Sequence, residues 1–427
     1  MLYKLIYRLG RRLRNPSISD WYFFLKKSEK WSRKELESYQ LKQLKEIVYF
    51  AYNNTEFYRK KMDGVSFHPD QLRTLDDLNR IPLLTKDELL QENDKIHAVY
   101  PFKKRFLAST SGSSGNSLAF FRDERADSFN RASVLRGYSW YGVKPWERNG
   151  YFWGFNFSFF ERLKIGFLDF LQNRFRIFKY DDRNFLNFVI KLKKARYVHG
   201  YSSMIFEAAR RINEKKLPKP KRIKMVKGTS EKIFESYQDE VIKAFGSPVI
   251  SEYGATESGI IAFECPEHNM HINMEGVIVE EVENEIVVTN LQMRSFPVIR
   301  YKLGDYIKLA EETTFCKCGR QHTILSEVTG RIGANVYGEN HMYPSLYFYY
   351  IFKNLSVKYG LKLTYKVIQE TKGSLDFYIL EAISPEEMEL LEKEIVKYFK
   401  NDISYHVKKL KEKQVKTTKS QSFISYI

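Results

Sequence analysis

The chain has 427 residues, a formal net charge of +18, 43% apolar residues, 22 Gly, 12 Pro and three Cys. At roughly 100–200 residues per domain this length gives two or three domains around a large core, and the composition excludes a disordered, collagen-like or low-complexity chain. A small, odd number of cysteines excludes a secreted disulfide scaffold and points to the cytoplasm.

Residues 1–14 interrupt their apolar positions with Lys4, Arg8, Arg11 and Arg12, so they lack the apolar core and cleavage site of a signal peptide. Leu2, Leu5, Ile6 and Leu9 among those cations suit a solvated helix packed on its own domain, or a short amphipathic helix in peripheral contact with an anionic membrane. Residues 31–63 carry helical apolar spacing, including Leu36, Leu41, Leu44, Ile47 and Val48. After the Ile81-Pro82 break, Thr85 opens another helix. From about 100 to 260, short apolar runs (105–110, 151–155, 197–200, 223–227, 249–253) alternate with helical stretches (125–141, 181–193, 202–212, 233–245), the pattern of an α/β layered fold. Residues 270–309 instead hold closely spaced strand-like runs, which read as an antiparallel or barrel-like β-rich subdomain.

After Gly330-Arg331 the order becomes helix (345–359), strands (362–369 and 375–382), helix, and a last strand (403–408). Ser384 and Glu387 form a capping-box spacing with Pro385 in the first turn. The expected organisation is a large α/β domain over 1–329, with a helical region over 1–100, and a small α+β domain over 330–427 that moves against it. No stretch is long and apolar enough to span a membrane; the richest, 151–175, is cut by Glu161, Arg162, Lys164 and Asp169. There is no internal repeat, zinc finger or RNA-binding aromatic signature, so no nucleic-acid partner is expected, and the positive charge suits a phosphate-bearing small molecule or an anionic surface.

Three strings carry chemistry. The first is Ser109-Thr110-Ser111-Gly112-Ser113-Ser114-Gly115-Asn116-Ser117, which follows a predicted strand. Glycines amid hydroxyl residues supply the backbone and side-chain donors that hold a phosphate chain, although composition alone fits a polar surface turn as well. The second is Ser251-Glu252-Tyr253-Gly254-Ala255-Thr256-Glu257-Ser258, at the end of an apolar strand. A Tyr-Gly turn offers an aromatic face to a purine, and Thr256 with Glu257 offers a hydroxyl and a carboxylate to phosphate and Mg²⁺. The third is Phe296-Pro297-Val298-Ile299-Arg300-Tyr301-Lys302-Leu303-Gly304-Asp305. In isolation its Asp is an ordinary turn residue.

In this order and spacing the three strings resemble the signatures of the adenylate-forming (acyl-AMP synthetase) superfamily. The closest likeness is to its phenylacetate-CoA ligase group and the capsular-polysaccharide biosynthesis branch of that group. Further support comes from His199-Gly200-Tyr201-Ser202-Ser203, Gly228-Thr229-Ser230-Glu231-Lys232 and Arg294-Ser295-Phe296-Pro297. The resemblance spans essentially the whole chain and implies ATP-dependent activation of a carboxylic acid as an acyl adenylate. It assigns the phosphates to Thr110 through Gly115, and the adenine surroundings to Gly228, Ser230, Glu231, Glu252, Tyr253 and Gly254. Thr256 and Glu257 then take phosphate and Mg²⁺, Asp305 the ribose hydroxyls, and Arg331, at the hinge, the phosphate. CoA is a candidate acceptor, alongside a sugar, an amine or another thiol of a cell-surface polysaccharide pathway.

All three cysteines lie in Cys265-Pro-Glu-His268-Asn-Met-His271 and Cys316-Lys-Cys318-Gly-Arg-Gln-His322. Three thiolates and one imidazole make a closed tetrahedral site, the pattern of structural Zn²⁺. The resemblance selects His271 over His268, because the family carries its histidine just before the Ile of a short strand.

The sequence departs from the family at three places. Gly115 is followed by Asn116 rather than Lys, Arg331 by Ile332-Gly333-Ala334 rather than an acidic residue, and Ser422 occupies the position of the terminal catalytic Lys. A hydroxyl cannot replace an ammonium at the developing charge. Lys419, three residues earlier, is the candidate substitute. These departures set an acid-activating enzyme against a nucleotide-binding relative that no longer adenylates.

Overall fold

The computed structural model describes residues 1–110, 118–152, 159–177, 182–230, 233, 236–283, 285–331, 335–343, 345–361, 363, 365–379, 381–409, 423–425 and 427. They fall into two compact units, which meet in sequence at Gly330 and Arg331.

In the first unit, helices α1 (Leu2–Arg14), α2 (Ile18–Ser28), α3 (Arg33–Asn54) and α4 (Glu56–Asp63) precede the sheet. The continuous helical spacing over 31–63 resolves into two helices because Thr55 stops one and starts the next. Its backbone is extended, its hydroxyl donates to the Ala51 carbonyl at 2.8 Å, and the same oxygen accepts the Tyr58 amide at 3.2 Å. Ser32 and Thr85 each form a full capping box, with Glu35 and Glu88.

Strands β1 (Arg105–Ser109) and β2 (Ala119–Asp123) form an antiparallel hairpin, in register from Arg105 opposite Asp123 to Ser109 opposite Ala119. The central sheet consists of β3 (Asn149–Phe152), β4 (Arg174–Arg176), β5 (Tyr197–Tyr201), β6 (Met225–Thr229), β7 (Val249–Ala255), β8 (Gly259–Glu264), β9 (Met270–Ile272), β10 (Val277–Val282), β11 (Glu285–Asn290), β12 (Tyr301–Leu309) and β13 (Ile324–Arg331), in the spatial order 10-11-12-13-9-8-7-6-5-3-4. Pairing is parallel from β4 through β3, β5 and β6 to β7, and antiparallel at β7/β8, β8/β9, β9/β13, β10/β11 and β11/β12. The antiparallel half of the expectation for 270–309 is right. Its strands, however, extend the same sheet rather than closing a barrel.

Each half of the sheet has its own core. Phe152, Val189, Val198, Ile205, Val226 and Val241 pack around the parallel strands, and Leu44, Ile47, Val48 and Tyr58 of the N-terminal helices pack on Ile261, Ile286, Val288, Val298 and Ile299. Strands buried on both faces read as continuous apolar runs, which is why the parallel strands were legible.

The second unit carries a short hairpin (Val336–Tyr337 with Met342–Tyr343), helix Leu346–Tyr359, strand Tyr365–Gln369, strand Ser374–Ile379, helix Pro385–Phe399, strand Ser404–Lys409 and strand Phe423–Ser425. Ser374–Ile379 pairs antiparallel with Tyr365–Gln369 and parallel with Ser404–Lys409, while Phe423–Ser425, which the sequence did not reveal, adds in parallel to Tyr365–Gln369. The capping box at Ser384 and Glu387 forms as expected. Among the described residues no helix is long and apolar enough to cross a membrane.

Candidate active site and Cys/His cluster

In an open α/β sheet ligands bind beyond the carboxyl ends of the parallel strands. There β6 and β7 place Gly228 opposite Ser251 and Thr229 opposite Glu252. A Cβ on Gly228 would lie 2.5 Å from Ser202 Oγ and 3.0 Å from Ile233 Cδ1, so a larger residue would have to displace those side chains. Ser230 follows at φ +66°, exposed. Glu252 accepts Lys227 Nζ at 2.6 Å and lies 3.3 Å from Thr229 Oγ1; this makes it a member of a buried ion pair as well as a candidate nucleotide neighbour.

The second and third strings meet twice. Tyr253 donates its hydroxyl to Asp305 Oδ2 at 2.6 Å, and Tyr301 donates to Glu257 Oε1 at 3.3 Å. Tyr301 stood in the third string without a role of its own; its place four residues before Asp305 on β12, an even spacing along a strand, is the signal that was available. Arg300 of the same string is structural. At φ +53° it turns inward, ion-pairs with Glu280 at 2.7 Å and donates to the Ile81 carbonyl at 2.7 Å.

The turn that carries Thr256 and Glu257 is held from behind by side chains that no local motif marks. Arg122 donates to the Thr256 carbonyl, and Asn290 Nδ2 to that of Ser258 at 2.9 Å. Asn130 Oδ1 accepts the Ile260 amide at 2.8 Å, and Asn273 Nδ2 donates to the Ile260 carbonyl at 3.1 Å. Gly254 sits at a register shift where a Cβ would come within 2.4 Å of the Gly259 carbonyl oxygen. Glu257 itself is 4% exposed and has no cationic partner among the described residues. A buried carboxylate without a counter-charge is costly, and a divalent cation would supply one.

Thr110 closes the β1/β2 hairpin, donating its amide to the Leu118 carbonyl at 2.8 Å and accepting the Leu118 amide on Oγ1 at 3.0 Å. The other predicted phosphate-loop residues, Ser111 through Ser117, lie outside the described residues, as do Glu231, Lys232, Lys419 and Ser422; Arg331 ends β13, and its side chain also lies outside them.

The three cysteines and His271 converge, their ligand atoms all within 4.8 Å of one another. Cys265 Sγ is 3.7 Å from Cys316 Sγ, and Cys318 Sγ is 3.2 Å from His271 Nε2. Thiolates about 2.3 Å from a tetrahedral Zn²⁺ stand ~3.8 Å apart, so the sulfur spacing fits that ion. His271 Nδ1 lies 3.4 Å from the His322 carbonyl, which leaves Nε2 for a metal. His268 points away, exposed and 3.0 Å from Glu264. Burial pushes the Cys265 thiol up to about 12, a penalty that a bound cation would reverse. Beside the cluster, His322 Nε2 contacts Glu275 Oε1 at 3.1 Å, and that oxygen also accepts from Arg136 at 2.7 Å and Ser28 at 2.5 Å.

No family model matches the chain. It is 24% identical to Protein CapK of Staphylococcus aureus over 289 residues, 65% of this chain and 64% of CapK, so the match spans less than two thirds of that relative. It is 40% identical to phenylacetate-coenzyme A ligase of Aromatoleum evansii over 77 residues, 18% of this chain and 17% of the relative. Among solved structures, 2-hydroxyisobutyryl-CoA ligase in complex with 2-HIB-AMP and CoA, in the thioesterification state, superposes with a TM-score of 0.62 at 18% identity, covering 93% of this chain and 91% of that one. The same ligase in the postadenylation state gives 0.60 at 17% identity over 93% and 90%. The chain is therefore a sequence homologue of CapK and of phenylacetate-coenzyme A ligases, built on the fold of the acyl-CoA ligases of the adenylate-forming superfamily.

Proposed function

We propose that the protein binds ATP with Mg²⁺ and activates a carboxylic acid as its acyl adenylate, in the cytoplasm, and passes the acyl group to a thiol such as CoA, or to an amine or sugar of a cell-surface polysaccharide. The carrying observation is the double link between two motifs far apart in sequence, Tyr253 to Asp305 and Tyr301 to Glu257. It brings together, from β7, the turn after it and β12, an aromatic ring, a carboxylate suited to vicinal hydroxyls and a carboxylate suited to a cation. Tyr253 covers the adenine, Asp305 takes the ribose hydroxyls, and Thr256 with Glu257 holds Mg²⁺ against the phosphates. Thr110 through Gly115, Gly228, Ser230, Glu231 and Gly254 complete the nucleotide surroundings. Arg331 and Lys419 supply the cations that adenylation needs. Cys265, His271, Cys316 and Cys318 hold a structural Zn²⁺ that ties the turn after β8 to the loop before β13.

The test is acid-dependent exchange of pyrophosphate into ATP across a panel of carboxylic acids. Exchange that disappears in Glu257→Gln and Asp305→Ala supports the proposal. ATP binding without exchange for any acid supports the second reading, a nucleotide-binding relative that no longer adenylates, which Ser422 at the usual Lys position favours.

A further inference from the structure

Helix α1 is docked in a way that leaves its leucines outside. Tyr3 meets Phe170 with ring centroids 5.9 Å apart, and Tyr7 meets Trp146 at 5.7 Å. Its C-terminus is pinned by Lys104 Nζ, which donates to the Leu13 and Arg14 carbonyls at 2.8 and 2.9 Å, and by Asn15, which donates to Asp127 at 2.9 Å. At about 100° per residue, Leu2, Leu5, Leu9 and Leu13 then form one stripe turned away from the tyrosines. Each is more than half exposed: 58%, 57%, 53% and 80%. A helix that merely covers its own domain buries its apolar stripe. This one exposes it, flanked by exposed Lys4, Arg8 and Arg12, with no acidic residue in 1–14.

The neighbouring helix Phe159–Leu171 shows the same inversion. It is fixed by Asp169, buried and ion-paired with Arg174 and Arg176 at 2.6 Å each. That anchor turns Leu163, Phe167 and Phe170 outward, 59%, 63% and 55% exposed, with exposed Lys164 among them. Phe170 is also the ring that Tyr3 touches, so the two helices adjoin.

We propose that α1 and Phe159–Leu171 together form a docking face for an anionic lipid membrane. The leucines and phenylalanines enter the boundary of the acyl chains, and Lys4, Arg8 and Arg12 meet headgroup phosphates. Apolar stripes bordered by long cationic side chains suit a lipid interface, where the cations reach the headgroups while their stems lie on the chains. A second copy of this chain is a poor occupant, because a symmetric contact would bring the same cations together. This surface goes beyond the proposed chemistry and does not depend on it.

The experiment is flotation of the full chain with phosphatidylcholine vesicles, with and without about one-third phosphatidylglycerol. Binding is expected to the anionic vesicles and to weaken as salt rises. Leu5→Ser/Leu9→Ser, Leu163→Ser/Phe167→Ser and Arg8→Ser/Arg12→Ser should each lower the bound-to-free ratio by about tenfold or more, with unchanged thermal unfolding because every altered side chain is exposed. Leu2→Ser/Leu13→Ser replaces the first pair if that variant misfolds. The proposal is overturned if the wild type fails to float at low salt, or if the Leu163/Phe167 variant floats like the wild type. It also falls if the free protein is a dimer that Phe167→Ser dissociates, since the face would then be a contact between copies.

Discussion

Glu257 and Glu275 are both buried, 4% and 0% exposed, on neighbouring parts of one sheet, yet the protein treats their charges in opposite ways. Glu275 is matched from within. Burial alone would raise its carboxyl, but the Arg136 guanidinium and His322 reverse that and hold it well below the usual carboxylate range, with Ser28 adding a hydrogen bond. Glu257 receives the Tyr301 hydroxyl at 3.3 Å and no cation among the described residues. A carboxylate neutralised by its own protein is a structural device. One with no cation among the described residues, at the carboxyl ends of parallel strands, is the carboxylate that the proposed Mg²⁺ would neutralise.

The harshest way to break this contrast is to remove the internal counter-charge. Arg136→Ala strands Glu275 in the core and should destabilise the first unit by about 3–5 kcal/mol in denaturant unfolding. A loss well under 1 kcal/mol would show that Glu275 is not held by that pair. The complementary substitution, Glu257→Gln, should lower acid-dependent pyrophosphate exchange by about 10²–10³-fold, roughly 3–4 kcal/mol. It should leave stability unchanged or slightly raised, because it removes an uncompensated buried charge. Equal destabilisation by both variants would erase the distinction between the two residues.

The candidate residues on the Glu257 side of this contrast were legible. Tyr253, Glu257 and Asp305 sit in short strings whose residue types carry their chemistry with them, and the capping boxes at Thr85 and Ser384 are local contacts written into four residues each. The cysteines and His271 were legible for a related reason: thiols are few, so their grouping stands out. The Glu275 network was not. Ser28, Arg136, Glu275 and His322 come from four distant segments and become a unit only through the sheet order that sets β9 between β8 and β13. Asn130, Asn273 and Asn290 behind the turn that carries Thr256 and Glu257 are hidden for the same reason. Whether strands 270–309 close on themselves or extend the sheet likewise depends on pairing partners, which period-two patterning does not name.

The Cys/His cluster offers a milder test. It touches the Glu275 side through His271 Nδ1 and the His322 carbonyl. Purified protein should carry about one zinc per chain by elemental analysis, and Cys316→Ser should lose it at a stability cost on the order of 2–3 kcal/mol. Protein that holds no zinc without exposure to chelator would remove the ion from the account. A variant that loses zinc yet keeps full pyrophosphate exchange after folding would support the structural assignment, since the cluster belongs with the internally matched carboxylate.

The smallest effect is the pH dependence that Glu275 imposes on folding. Its carboxyl lies below the ordinary value in the folded protein and near ~4.3 in the unfolded chain. Below about pH 4.3 the unfolded state therefore takes up the proton first, and stability falls as pH falls. Above that value both states are ionised, and the contribution is fully present and flat. For one group the slope is at most about 1.4 kcal/mol per pH unit, so denaturant unfolding between about pH 4.5 and 3.5 should show it in the wild type. Glu275→Gln should be flatter over the same window, because its side chain has no proton to gain. A wild type and variant with equal slopes would mean that other carboxylates dominate acid unfolding. A steeper wild type would mark Glu275 as a charge settled within the protein, leaving the dependence of exchange on Mg²⁺ as the matching signature of Glu257.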